Sequence, residues 1–516
     1  MNEIIEITAL PEEIVNLTLL HNRACQQAQL NPNDWATTIV KSSIDARKRP
    51  IYRLQMAIHP QGENPLTFLA PIFPDVQNAP HQALIIGAGP AGLFAALKLI
   101  QLGIKPIIWE RGKNVKERRR DLATITRNQS INPESNYCFG EGGAGTYSDG
   151  KLYTRSTKRG DVRSILQWLV HFGADQNILI QAHPHIGTNK LPQLIANMRE
   201  QILASGGEVH FNTKFKDVEI INGKIVSARN HRDESIHIQK VILATGHSAR
   251  DIFEWLNDKK LAIEFKSFAL GVRVEHPQSW IDQQQYHCEV KSENLPPAAY
   301  SWVEQVNGRG VYSFCMCPGG IIAPCATGIE EVVTNGWSPS KRNNPWANSG
   351  IVVPIQWEDI PEYHAAGPLA GLRFQQAVEK RCWIEGGQTQ QAPAQRLVDF
   401  VQGRISKDLP SCSYLPGVVS RDLNKVLPSF IAKSLQQGFL QIAKKMKGYL
   451  HESAILVAPE SRTSSPVRIP RDKDTLQHPE CEGLYPCGEG AGYAGGIISA
   501  AIDGVRIAET LSLTYA

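Results

Sequence analysis

Three glycine clusters and a few isolated thiols, hydroxyls and cations hold the residues of this 516-residue chain whose types and spacing could do chemistry. Gly87, Gly89 and Gly92 stand as Gly-x-Gly-x-x-Gly around Pro90 and Ala91, and Glu110 follows 18 residues beyond Gly92. That spacing suits a dinucleotide: the first glycine allows a tight turn, the second lets backbone approach a pyrophosphate, and the third lets helix and strand pack closely. The helix N-terminus then faces the negative charge, and the acid accepts ribose hydroxyls. Residues 139–151 (FGEGGAGTYSDGK) repeat the pattern at Gly140, Gly142 and Gly145, but with no strand before and no helix after. This loop reads instead as a wrap, with Gly142, Gly143, Thr146, Ser148 and Lys151 offering amides, hydroxyls and a cation to a phosphate-bearing ligand. Gly490, Gly492 and Gly495 form a third copy with a strand before it and a helix after it; 21 residues follow Gly495, too few for a second strand and acid. The third copy is therefore expected to complete a site begun elsewhere.

Other groups admit two interpretations each. Cys315 and Cys317, two apart on a predicted strand, share one face. With Cys325 they offer a redox or metal site, or simply small buried hydrophobes; their spacing matches no standard zinc pattern. Arg462, Thr463, Ser464 and Ser465 offer a cation and hydroxyls to a cofactor or an anionic substrate, or form a capped turn. Arg462, Ser464 and Cys317 are the candidates for catalysis, none with an assigned role. The basic run from Lys113 to Arg120 opens a helix from which Arg119 or Arg120 could reach a pyrophosphate, or which is a solvated face. His183 and His185, split by Pro184, read as a loop rather than as metal ligands, and no metal is expected.

The elements that must position these groups follow from periodicity. Residues 83–86 and 106–109 are apolar strands around a helical pattern, and residues 241–246 (VILATG) are a buried strand ending on a tight turn. Residues 1–80 read as a small α+β module and linker, with strands at 4–9, 35–46 and 50–58 and a helix at 11–29. The first part of the cofactor domain spans 81–263. A mixed α+β substrate domain is inserted at 264–455, with a strand at 331–335 and a helix at 394–405 among its elements, and the cofactor domain resumes at 456–516. The predicted fold is thus α/β, a discontinuous Rossmann-like domain carrying an insertion.

Composition narrows the class. At 42% hydrophobic and 20% charged residues the chain reads as globular. Its net charge of +4 is too small to argue for nucleic acid by itself. The basic cluster Lys41, Arg47, Lys48, Arg49 and Arg53 still leaves RNA contact or domain docking as alternatives to a solvated turn. Residues 83–104 are apolar enough to suggest a membrane span, but Gly and Pro interrupt them, so no span is expected. Ten cysteines without a dense framework, and acids near the N-terminus where a signal peptide has bases, point to the cytoplasm.

Taken together, IIGAGPAG with Glu110-Arg111, the ATG turn and GEGAGYAGGI resemble the FAD-binding half of the glutathione-reductase-type flavoproteins. More narrowly, strings such as NPESNYCFGEGGAGTYSDGKL, ATGHSARD, YSFCMCPGG and ESRTSSPVRI resemble the family of uncharacterised FAD-dependent (NAD(FAD)-utilising) dehydrogenases. The resemblance implies bound FAD and an oxidoreductase. It places Gly87, Gly89 and Gly92 at the pyrophosphate, Glu110 at the ribose, Phe215 at the adenine and Thr245-Gly246 beside the cofactor; Pro90, Ala91, Arg111 and Arg119 are expected to bind the cofactor as well. Gly488, Glu489, Ala494, Gly495, Gly496 and Ile497 would border the ribityl chain and flavin ring. Cys487 replaces a small alanine expected there. Hydride transfer with a small or hydrophobic organic substrate follows, with NAD(P)H as a transient electron partner; the alternative is a flavoprotein acting on RNA through residues 1–80.

Overall fold

The computed structural model describes residues 3–153 and 160–515. The apolar runs of the glycine-rich sections build one sheet of five strands, in the order Leu484–Pro486, Val241–Leu243, Gln82–Ile86, Lys105–Trp109 and Glu208–His210. Every neighbouring pair is parallel. Strands of a parallel sheet are covered on both faces, which is why they read as unbroken apolar runs rather than alternating ones. Helix Pro90–Gln101, with proline at its first position, is buried from Ala91 through Leu97. Helix Ile497–Ser512 crosses it so closely that a Cβ on Gly504 would lie 2.1 Å from the Ala91 carbonyl oxygen. The end of the chain is thereby returned to its first glycine turn.

A second sheet has seven strands, ordered Val303–Val306, Arg309–Cys317, Trp346–Ile355, Phe268–Pro277, Ile455–Glu460, Ala392–Arg396 and Val418–Ser420. All pairs are antiparallel except the last. Val272, Val274, Ile351, Leu435 and Phe439 share its core, where helix Ser429–Lys445 packs. Two expectations change here. Strand Ile455–Glu460 pairs on both sides within this sheet, so a boundary at 455 cuts a strand, and the inserted unit runs on past it. Residues 394–405 are not one helix: Ala394 and Gln395 pair with Val457 and Leu456, and a helix covers only Leu397–Gln402. Cross-strand pairing overrides local helical spacing. The predicted strand at 331–335 is displaced to Thr334–Trp337.

The first residues form an antiparallel sheet of Glu3–Ala9, Ile51–His59 and Ala36–Asp45. Helix Leu17–Gln27 lies against it, starting later than predicted, where the Asn16 side chain caps the Leu19 amide. The arginines of the basic cluster are paired locally: Arg47 and Arg53 pair with Asp45 at 2.5 and 3.1 Å, Arg53 with Glu6 at 3.3 Å and Arg49 with Glu12 at 3.8 Å. The module docks through Ser42, whose amide donates to the Ile180 carbonyl at 2.7 Å, and through the Tyr52 hydroxyl, which donates to the Asn294 carbonyl.

Glu275, buried on strand Phe268–Pro277, accepts the Ser413 amide at 2.8 Å and contacts the Ser413 hydroxyl. Burial pushes its carboxyl from the ordinary 4.5 up to about 7, against the Ser413 hydrogen bonds. A carboxyl with a folded pKa above its unfolded one contributes stability that is full below about 4.5 and lost as pH rises through about 7. Neighbouring His276, held down to about 4 by burial, acts in the opposite direction as pH falls from 6.5. We therefore expect Glu275→Gln, which mimics the protonated acid, to lose less stability than the wild type between pH 4.5 and 7 in denaturant titrations. Identical profiles would refute this.

Candidate cofactor and active site

A long cleft runs along the carboxyl ends of the parallel strands, where an open α/β sheet leaves its crevice. The seven-stranded sheet walls its far side. The fold brings many predicted residues to this cleft: Gly87, Gly89, Pro90 and Ala91 from the first turn, and Glu110 and Arg111 from the next strand end. Gly143, Ser148 and Lys151 come from the wrap loop, and Phe215, Thr245, Gly246, Glu489, Gly496, Ile497, Cys487 and Cys317 complete the predicted set.

At one end the Glu110 carboxylate is 4% exposed and gathers three backbone amides. It accepts from Ala88 at 2.8 Å and from Gly112 and Gly140 at 2.9 Å each. Two carboxylate oxygens offer about four acceptor sites, so capacity for a ligand hydroxyl remains. Beside it, Arg111 pairs with Glu134 at 2.6 Å and Asp251 at 2.9 Å, while Lys214 reaches the same two acids at 3.0 and 3.2 Å. In the middle, His247 directs its Nε2 to Glu489 Oε2 at 3.7 Å, and its Nδ1 is buried without a partner. Burial holds this imidazole below its ordinary value against the Glu489 carboxylate. Helices Pro90–Gln101 and Ile497–Ser512 both begin at the cleft, and helix N-termini favour anionic groups. A Cβ on Gly246 or Gly496 would meet nothing within 4 Å, so bare backbone faces the void there.

Several predicted residues lie outside the lining. Gly92 packs the helix on its turn, since a Cβ there would sit 2.0 Å from the Gly87 oxygen. Gly142 and Thr146 brace the wrap loop from behind, the Thr146 hydroxyl donating to the Glu141 carbonyl at 2.7 Å. The Gly488 amide is committed to Asp503 at 2.8 Å, and neither Ala494 nor Gly495 borders the void. Arg119 is a correction: it sits on the exposed face of helix Val115–Asn128. Its neighbour Arg118 is the one turned inward, donating to the carbonyls of Asn136, Tyr137 and Glu141 at 2.7, 2.8 and 2.8 Å. The signal was present, because Val115, Arg118, Leu122 and Ile125 fall on one helical face.

The catalytic candidates are corrected more sharply. Arg462 is buried away from the cleft, bound to Glu331 at 2.7 Å and Glu379 at 3.1 Å, with Arg250 on the same two acids. The Arg462 cation is consumed by these acids and the Thr327 hydroxyl, while Arg250 joins helix Arg250–Asp258 to the same acids. Ser464 does not border the cleft, and the adjacent Thr463 hydroxyl exchanges hydrogen bonds with the Ala269 backbone. Cys325 packs in a separate cluster with Leu122 and Ile125, so it does not join Cys315 and Cys317. Among the described residues no group of His, Cys, Asp and Glu is placed to hold a metal ion. Lys214, His247, Asn335 and Gly336 line the cleft without having been singled out. The position of His247 directly after the ATG turn was the one available clue.

Comparison with known proteins agrees with this architecture. Residues 81–267 match the model described as pyridine nucleotide-disulphide oxidoreductase, and residues 267–463 the one described as FAD-dependent protein, C-terminal domain-like. Residues 1–58 match a domain of unknown function. The class is that of an FAD-dependent oxidoreductase. A protein of Clostridium beijerinckii described as uncharacterised is 37% identical over 515 residues, covering 96% of each chain. The chain belongs to this family of uncharacterised FAD-dependent proteins. Similar solved structures include CtdE in complex with FAD and a substrate, at 10% identity, 84% and 81% coverage of this and that chain, and TM-score 0.37. Another is a geranylgeranyl bacteriochlorophyll reductase-like protein from Thermoplasma acidophilum, at 14% identity, 84% and 79% coverage and TM-score 0.34. No helix among the described residues is long and apolar enough to cross a membrane.

Proposed function

We propose that the cleft holds FAD with its adenosine end at Glu110 and its flavin end at Lys151, and that hydride passes between FAD and a small or hydrophobic organic substrate. The carrying observation is the single cleft walled by the dinucleotide turn and Glu110 at one end and by the seven-stranded sheet at the other. Gly87, Gly89, Pro90 and Ala91 would face the pyrophosphate, Phe215 the adenine, and Thr245, Gly246, Glu489, Gly496 and Ile497 the ribityl chain and flavin. FAD supplies the two-electron chemistry, and the protein supplies orientation and charge. The N-terminus of Ile497–Ser512 favours added negative charge on a nearby ligand by about 0.3–1 kcal/mol. His247, its pKa lowered by burial against the pull of the Glu489 carboxylate 3.7 Å away, is placed to accept a proton within the cleft.

No second strand-turn-helix-strand unit ending in an acid is visible in the sequence, so NAD(P)H is assigned a visiting role. The pairing of Arg47, Arg49 and Arg53 with nearby acids weighs against RNA contact at that turn. All ten cysteines are free thiols, which supports a cytoplasmic setting. The test is direct: purified protein should show flavin absorbance and release FAD on denaturation, while NADPH should bleach it only slowly under anaerobic conditions. Protein that neither carries flavin nor gains thermal stability with added FAD would refute the proposal.

A further inference from the structure

Two side chains in the cleft wall keep hydrogen-bond donors that the rest of the chain leaves unused. Asn335, on strand Thr334–Trp337, borders the cleft. Its Oδ1 accepts from Arg273 Nη2 at 2.9 Å and from the Gly336 amide at 2.7 Å. Both partners are obligatory donors, so they fix the oxygen on their side and turn the Nδ2 group away from them. Among the described residues Nδ2 finds no acceptor. The clamp behind it is firm, since Arg273 is fully buried and held by Glu460 at 2.6 Å and Asn348 at 3.0 Å.

Lys151 is the second donor, half-buried and bordering the same cleft. Its ammonium donates to the Met316 carbonyl and lies 3.9 Å from Cys317 Sγ. An ammonium has three donors, so at least one is left over. The two groups are anchored on consecutive carbonyls of one strand. Arg273, which holds Asn335, donates to the Cys315 carbonyl at 2.9 Å, one residue before the carbonyl that Lys151 holds. Cation and carboxamide therefore meet at one end of the cleft.

Charge at that end does not balance. Glu460 is matched by Arg273, and Asp149 by Arg342 at 2.7 Å. Burial holds the His185 imidazole below its ordinary value, so it adds no cation near neutral pH. The Lys151 ammonium remains, with no carboxylate paired to it among the described residues. One spare cation beside an amide donor suits a single negative charge shared by two oxygens. A phosphate dianion calls for more charge and more donors than these two side chains supply. Cys315 and Cys317 border the cleft beside them, and thiols, as weak hydrogen-bonders, suit an apolar body.

We propose that Lys151 and Asn335 form a carboxylate subsite, so that the substrate is an organic acid whose apolar part lies along the cleft. This names the substrate class of the FAD-dependent reaction proposed above and rests on that reading.

The experiment is calorimetric titration of the FAD-loaded, full-length protein with benzoate, its uncharged analogue benzamide and inorganic phosphate, with flavin difference spectra recorded alongside. Benzoate should bind saturably, perturb the flavin spectrum, and bind at least about tenfold more tightly than benzamide or phosphate. Asn335→Asp keeps an oxygen for Arg273 and Gly336 but exchanges the free donors for a negative charge. It should weaken benzoate by about 100-fold and reverse the preference in favour of benzamide. Lys151→Met should cost benzoate about tenfold and leave benzamide nearly unchanged. Lys380→Met, at an exposed lysine paired with Glu330 outside the cleft lining, should alter neither. Flavin-loaded wild type without saturable benzoate binding, or with phosphate bound more tightly, would overturn this proposal alone. So would Asn335→Asp with the wild-type preference, or Lys151→Met that shifts the flavin spectrum and leaves benzoate affinity intact. Protein devoid of flavin would overturn it together with the FAD reading.

Discussion

Glu110→Ala should purify without flavin and unfold at markedly lower denaturant than the wild type. The Glu110 carboxylate holds the amides of Ala88, Gly112 and Gly140, which belong to the first turn, the next strand exit and the wrap loop. Alanine orphans all three donors in a buried place, at about 1–3 kcal/mol for each that water cannot reach. A loss of about 3–6 kcal/mol in stability follows from partial rehydration of the three. FAD affinity should fall by about 100-fold or more, since a ribose acceptor and the alignment of three walls vanish together, and 100-fold corresponds to about 2.8 kcal/mol. Glu110→Gln keeps an acceptor oxygen but turns an amino group toward N–H donors, so it should fall between wild type and alanine. Flavin-to-protein ratio and denaturant midpoint measure both effects. A Glu110→Ala protein with full flavin and an unchanged midpoint would show that the carboxylate has no such role.

Arg273→Met carries the second large effect. Arg273 and Glu460 are fully buried partners, Arg273 Nε donating to Glu460 Oε2 at 2.6 Å, and Glu460 Oε1 is buried without a hydrogen-bond partner. Burial alone raises the Glu460 carboxyl, and the Arg273 cation opposes it. Removing the cation leaves an uncompensated acid between strands Phe268–Pro277 and Ile455–Glu460, which costs about 3–5 kcal/mol. Pairing the change with Glu460→Leu should recover most of that, because buried ion pairs replaced by apolar groups are often neutral. Chemical denaturation of the single and double variants gives the coupling energy. A double variant no more stable than Arg273→Met would locate the loss in the Cys315 and Asn348 contacts instead.

Legibility in the sequence followed the range of the interaction. The turn at Gly87, the helix beginning at Pro90 and the central strand Val241–Leu243 depend on neighbours within a few residues, so spacing and periodicity reveal them. Helix Leu191–Ala204 was equally plain, with apolar residues at helical spacing and glycines just past its end. Residues 394–405 looked helical for the same local reason, yet Ala394 and Gln395 were claimed by a strand about sixty positions away. Arg462 looked like a ligand-facing cation because Glu331 and Glu379, which neutralise it, lie 131 and 83 positions earlier.

By itself the amino-acid sequence determined the dinucleotide turn, the acid at the end of the next strand, and the return of the last glycine cluster to the same cleft. Those rest on backbone freedom and hydrophobic period, which are local properties of a chain. Only the tertiary structure decided which charges face the cleft and which are consumed in buried pairs, and that Cys315 turns into the wall while Cys325 does not. Strand register and ion partners are set by residues far apart in sequence, as with Arg273 and Glu460 across 187 positions, and no local pattern records them.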